Sequence, residues 1–305
     1  MKTQYKEIAF KPETRALINY LNQLIESYLE RGYRLSVRQL YYQLVQRNII
    51  KNKESEYKRV AGIINDARLA GMMRWDAIED RNREVLTRPH WNDGKHFLES
   101  VVPQFHLDMW DNQPTRVFVI VEKAALEGVL TPICRKWDVP LLSARGYPSV
   151  SILYDMAQDY MIPAIDNGQS IHVLHLGDHD PSGIDMTRDL EERLIMFITG
   201  QEFDENEYPA EFTLDRIALS REQIRETNAP PNPAKMSDSR SNAYVKRFGN
   251  SSWELDALPP EYIADLVETH LEANIDDERW EERKAVKDGI AAQLKSVVTN
   301  FKEQP

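Results

Sequence analysis

Three carboxylates lie where a phosphate-handling metal site could form. Glu122 follows the apolar run at 117–121, and Asp178 and Asp180 follow a second run at 171–176 with only Gly177 between. Carboxylates gathered at one point repel unless cations neutralise them, and hard oxygen donors suit Mg²⁺ or Mn²⁺. Such ions polarise a scissile phosphate and stabilise its attacking and leaving oxygens. Gly177 and Gly183 permit close backbone approach, and Pro181-Ser182 can start a helix whose N-terminus favours a phosphate. Lys123 could add a phosphate contact. Asp185 fits a place beside the metals or simply the first turn of that helix. An isolated Asp-x-Asp would as readily cap a loop and a helix. His179, between two ligands on an alternating backbone, points elsewhere and suits packing, and His175 reads as a core histidine within the strand.

A second group is Ser36-Val37-Arg38-Gln39-Leu40-Tyr41-Tyr42. Arg38 and Tyr42 are four apart on a predicted helix and share a face. A tyrosine attacking a phosphodiester keeps the bond energy in a phosphotyrosine ester, but a phenol of pKa about 10 needs a metal, base or cation to help it ionise. The guanidinium fork of Arg38 could orient the phosphate. From this helix alone packing is the plainer role for both tyrosines, with Tyr41 extending the stripe of Val37, Leu40 and Leu44. Arg68, Arg74, Arg81 and Arg83 are candidate backbone contacts for DNA, or members of solvated helix faces.

Helical spacing appears over 13–30, from Ser36 as N-cap, and over 54–69, with Met72-Met73-Arg74-Trp75 as part of a wing. Three helices and a wing predict a winged-helix domain over 1–96, joined by a connector at 97–115. From 116 to 260, apolar runs at 117–121, 140–143, 171–176 and 217–219 alternate with helical stretches, which predicts an α/β domain with a mainly parallel sheet. A charged helical region, either a solvated appendage or a subunit contact, covers 261–305. Residues 1–96 carry 18 Lys/Arg against 12 Asp/Glu, a net of +6, whereas 97–305 carry 20 against 37, a net of −17. A basic front end on an acidic remainder suits a protein that meets DNA with its first domain. Cys134 is the only cysteine, which excludes an intramolecular disulfide and a cysteine-rich zinc site. No apolar stretch has the length of a membrane span, so no membrane partner is expected, and a cytoplasmic, nucleoid-associated protein is.

The order strand-Glu-Lys, then strand-Gly-Asp-His-Asp-Pro-Ser-Gly-Ile-Asp, resembles the Toprim domain of topoisomerases, primases and related nucleases. Preceded by a CAP-like winged helix with Arg-x-x-x-Tyr, it is similar to the A subunit of type IIB topoisomerases (topoisomerase VI) and its meiotic double-strand-break relatives. The resemblance covers about 36–260 and includes Gly146-Tyr147-Pro148, Asp215-Arg216-Ile217-Ala218-Leu219 and Trp253-Glu254-Leu255-Asp256-Ala257-Leu258. It implies Glu122, Asp178 and Asp180 as metal ligands, Tyr42 as nucleophile and Arg38 as its partner. It also implies a 5′-phosphotyrosyl product and a homodimer whose two sites each join one subunit's tyrosine to the other's metals. Glu254 and Asp256 would then approach the metals, or serve as caps and salt bridges. The chain is shorter than a full A subunit and supplies no ATPase domain, so strand passage would require an ATPase partner. The alternatives are a hydrolytic Toprim nuclease and a noncatalytic DNA-binding dimer.

Overall fold

The computed structural model describes residues 2–79, 88–233, 238 and 240–301. Arg81 and Arg83 lie outside the described residues. α1 (Pro12–Leu29), α2 (Val37–Gln46) and α3 (Glu54–Leu69) bury Ile18, Leu21, Tyr28, Leu40, Leu44, Val60 and Ile64 in one core. Ser36 starts α2 through a reciprocal capping box with Gln39, which satisfies two backbone donors at the helix end. The two-residue strands β1 (Leu35–Ser36) and β2 (Ile78–Glu79) pair in parallel. Residues 72–75 form no strand. Met73 is fully buried, so this segment closes the helical core instead of forming the expected wing.

After α4 (Gly94–Val101), the chain enters a four-stranded sheet built from β3 (Thr115–Val121), β4 (Leu141–Ser143), β5 (Ser170–Leu176) and β6 (Phe212–Ala218). All pairings are parallel and the order is β4-β3-β5-β6. The apolar runs follow from burial on both faces. Val117, Val119 and Val121 enter one core while Phe118 and Ile120 enter the other. β6 is longer than the expected run at 217–219. It is an edge strand, and its alternation of buried Phe212 and Leu214 with exposed Thr213 and Asp215 is invisible to a search for continuous apolar residues.

α5 (Glu127–Lys136) links β3 to β4, and α6 (Val150–Met156) and α7 (Ile162–Asp166) precede β5. α8 (Pro181–Thr199) follows β5, and α9 (Arg221–Thr227) follows β6. A short antiparallel pair, β7 (Asn232–Pro233) with β8 (Ser251–Ser252), flanks α10 (Ser241–Phe248). α11 (Pro260–Glu272) falls in the region read from the sequence as a solvated appendage or a subunit contact. Instead it buries Ile263, Ala264, Val267 and Leu271 in the core containing α5, because its apolar residues recur at helical spacing amid the charges. α12 (Asp277–Asn300) is charged and mostly exposed. No helix among the described residues is long and apolar enough to cross a membrane.

Candidate functional site

The chain leaves β3 for β4 on one side and later returns to β5 on the other. The C-terminal ends of β3 and β5 therefore border the crevice where open parallel sheets take ligands. Glu122 follows one strand directly, and Asp178 follows the other after Gly177. The Asp178 backbone N–H donates to Glu122 Oε2 at 2.9 Å, and both side chains are buried. Asp180 is the N-cap of α8. Its Oδ1 accepts from Gly183 N–H at 2.7 Å and from the Ser182 hydroxyl at 2.9 Å, so the helix-capping role is real. A Cβ at position 183 would lie 2.3 Å from the Asp178 carbonyl oxygen, so glycine is what lets this turn close.

A second strand of chain completes the centre. His179 and Trp253 exchange backbone hydrogen bonds at 2.9 and 3.0 Å, which brings Glu254, Leu255 and Asp256 alongside the Asp178–Asp180 turn. Leu255 N–H donates to Asp178 Oδ1 at 2.8 Å. Lys123 Nζ lies 2.6 Å from Asp178 Oδ2 and 3.3 Å from Glu254 Oε2. Arg38, on α2, reaches across from the first domain. Its Nε is 2.8 Å from Asp256 Oδ2, and its Nη2 pairs with Glu254. The same Nη2 is 3.5 Å from the Tyr42 hydroxyl, and the guanidinium carbon is 5.6 Å from the Tyr42 ring centroid. Arg38, Tyr42, Lys123, Glu122, Asp178, Glu254 and Asp256 thus form one contiguous polar seam within a single chain.

Burial governs the protonation of this seam. It raises the pKa of Glu122, Asp178 and Asp256, because each carboxylate loses water. Burial also works against the Glu254 carboxylate, but Lys123 and Arg38 outweigh it and lower its pKa. For Lys123, the charges of Asp178, Asp256 and Glu254 overcome burial and hold the ammonium. Tyr42 is only 3% exposed. Burial, then the charges of Glu254 and Asp256, raises its pKa, with Arg38 pulling the other way.

The donor set was tested against a divalent cation. Among the described residues, no three His, Cys, Asp or Glu side chains are gathered closely enough to hold a metal as they stand. The chemistry nevertheless fits. Glu122 Oε1 and Asp180 Oδ2 have no hydrogen bond among the described residues, and Asp256 Oδ1 is buried without a partner. Lys123 is the cation now closest to Asp178, so a metal there would have to displace it or sit beside it.

Several candidates lie in other settings. Tyr41 donates to Asn52 Oδ1 at 2.9 Å and packs edge-on to Tyr42 and Tyr57. Asp185 accepts from the Tyr147 hydroxyl at 2.7 Å and pairs with Arg188 and Arg240. Arg68 donates to the Trp75 and Ile78 carbonyls, and Arg74 pairs with Asp76 and Glu26. His179 bonds the Tyr244 hydroxyl at 2.7 Å and stacks among Tyr244, Phe248 and Trp253, and burial lowers its pKa to about 4. His175 is fully buried against Thr187, and its pKa falls to about 3 for the same reason.

Sequence reasoning gave Arg216 no role in the site. Its guanidinium donates to the carbonyls of Gly177, Asp178 and Gly183 at 2.9, 2.6 and 2.8 Å, strapping the acidic turn to α8. Burial lowers its pKa to about 10 while Glu122, Asp178 and Asp180 support its charge. An arginine in phase with the buried Phe212 and Leu214 of the edge strand was the available signal. Compared with protein-family models, curated proteins and solved structures, the chain matches none.

Proposed function

We propose that this protein cleaves duplex DNA in a metal-dependent transesterification, as a short stand-alone relative of the topoisomerase VI A subunit. In this reading, residues 1–96 act as a winged-helix-like module and 116–260 as a Toprim-like domain. The observation that carries it is the bridge Asp178–Lys123–Glu254–Arg38, which joins the tyrosine helix to the acidic strand ends. Mg²⁺, with Mn²⁺ as substitute, would be held by Glu122, Asp178 and Asp180 and would polarise the scissile phosphate. Tyr42 Oη attacks phosphorus, the bond to the 3′ oxygen breaks, and the 5′ phosphate remains on the tyrosine. The phenol proton leaves as the new ester forms, and the departing 3′ oxygen takes one up. Arg38 exchanges a carboxylate oxygen for a phosphate oxygen, which is likewise anionic and accepts from the guanidinium fork. Lys123 supplies a second cation at the carboxylate centre.

Homodimerisation, an ATPase partner for strand passage and a nucleoid location belong to the same proposal. The burial and raised pKa of Tyr42 favour one alternative, hydrolysis by water at the same carboxylates. End-labelled duplex incubated with Mn²⁺ and denatured in detergent separates the readings. Label bound to wild-type protein and lost in Tyr42→Phe supports transesterification, whereas undiminished metal-dependent cutting by Tyr42→Phe supports hydrolysis. Binding without cleavage in either metal would leave a DNA-binding protein only.

A further inference from the structure

Part of the acidic half of the chain has the opposite sign. Residues 219–250 carry six Lys/Arg against three Asp/Glu, within a half whose net charge is −17. α9 spans this stretch from one domain to the other. At its end the Thr227 carbonyl accepts from Gln46 of the α2 helix, and at its start Arg221 donates to the Phe248 carbonyl at the end of α10. Lys51, beyond α2, lines the cleft of about 530 Å³ where the two domains meet beside Asn228 and Pro231. Lys51 thus lies by the C-terminal end of α9, Arg225 and Arg221 lie along it, and Lys246 and Arg247 end the helix that Arg221 holds. Lys51, Arg225, Lys246 and Arg247 are exposed, and none of the five makes an ion pair among the described residues. Arg188, Arg193 and Arg240, by contrast, are each neutralised by neighbouring carboxylates. These cations also border the acidic centre. Arg221 lies 5.7 Å from the Trp253 ring centroid, next to Glu254, and the Asn232 amide is 3.5 Å from Glu254.

The geometry points to a phosphate-backbone track beside α9, formed by Lys51, Arg225, Lys246 and Arg247 with Arg221 anchoring α9 to the end of α10 between them, that guides DNA across the acidic part of the chain to the carboxylate centre. This rests on the DNA reading above and deepens it. The N-terminal candidates Arg68 and Arg74 are committed to internal partners, so the cations that remain free to meet phosphates include those beside α9. An acidic half-molecule repels a polyanion, and a row of uncompensated cations beside the reactive centre offsets that repulsion where the strand must arrive. α9, at seven residues, is about 10 Å long, which matches about three base pairs of rise.

The test is anisotropy of a fluorescent 24-base-pair duplex with the full chain, in EDTA and again with Mn²⁺, across 50–200 mM salt. The triple variant Arg225→Ala/Lys246→Ala/Arg247→Ala removes three exposed cations that make no ion pair among the described residues, and its melting curve checks the fold. Each lost phosphate contact lowers the log–log salt slope by about 0.9, so the wild type should lose about forty-fold more affinity than the variant over this range. Arg225→Glu alone should weaken binding further than Arg225→Ala. Equal slopes and affinities for wild type and variants, with the wild type binding, overturn the track and leave the DNA reading standing. Absence of wild-type binding at the lowest salt, with and without Mn²⁺, overturns both.

Discussion

Arg38 ties the helix bearing Tyr42 to the strand segment bearing Glu254 and Asp256, so its removal should register first as stability. The Asp256 side chain is fully buried, and one of its oxygens already lacks a partner. Arg38→Ala strips the other oxygen of a charge-assisted bond 2.8 Å long. Removing one partner of a buried pair costs about 3–5 kcal/mol. Here the Arg38 side chain is 39% exposed, so water enters the vacated space. Asp256, its pKa already raised by burial, can also take up a proton. Solvent screening and that proton reduce the expected loss to about 2–3 kcal/mol. At about 2–4 °C per kcal/mol, the melting midpoint should fall by roughly 4–12 °C. A double-mutant cycle in urea isolates the contact. In the Asp256→Asn background Arg38→Ala should cost about 0.5–1 kcal/mol, leaving a coupling of about 1–2.5 kcal/mol. Additive effects, or a single-variant loss under about 0.5 kcal/mol, would show that α2 does not lean on this segment. A coupling that vanishes on dilution would show that the contact comes from a second copy.

Mixing Tyr42→Phe with Glu122→Gln decides whether one chain's tyrosine serves its own carboxylates. The described seam predicts no recovery of covalent adduct in the mixture, whereas substantial recovery would place the two halves of the site on different subunits. Because burial raises the Tyr42 pKa above its ordinary value of about 10, adduct formation should climb with pH from 7 to 9.5 without levelling. A plateau near neutrality would argue against this phenol as nucleophile in this setting. His179 has its folded pKa depressed to about 4, so the unfolded chain binds its proton first and stability falls as pH drops below about 6.5. Between pH 7 and 5 the wild type should lose about 2 kcal/mol more than His179→Phe, and parallel pH profiles would refute that. Gly183→Ala forces a methyl group against the Asp178 carbonyl. It should lower both the melting midpoint and any metal-dependent cleavage, and a variant with wild-type values of both would contradict the turn geometry.

Much of the architecture was legible from local pattern. The apolar runs before Glu122 and Asp178 are strands because residues such as Val119 and Ile120 must both be buried, on opposite faces of one sheet. Ser36 with Gln39, and Asp180 with Pro181 and Gly183, mark helix starts through chemistry confined to a few neighbouring residues. Elements whose environment is set by distant partners were not legible in the same way. Met73 lies in a segment with no helical or strand period yet fills the helical core, the alternation of β6 is that of an edge strand, and α11 buries one face despite its charge.

The sequence by itself determined which side chains carry charge or a nucleophile, and that Glu122, Asp178 and Asp180 leave the ends of strands. Only the tertiary structure decided that Lys123 lies against Asp178, that Glu254 and Asp256 receive Arg38, and that Arg216 straps the acidic turn from beneath. Those contacts join residues up to 218 positions apart. Neither periodicity nor spacing encodes them, because they arise only when segments far apart in the chain pack together and their buried charges must find partners.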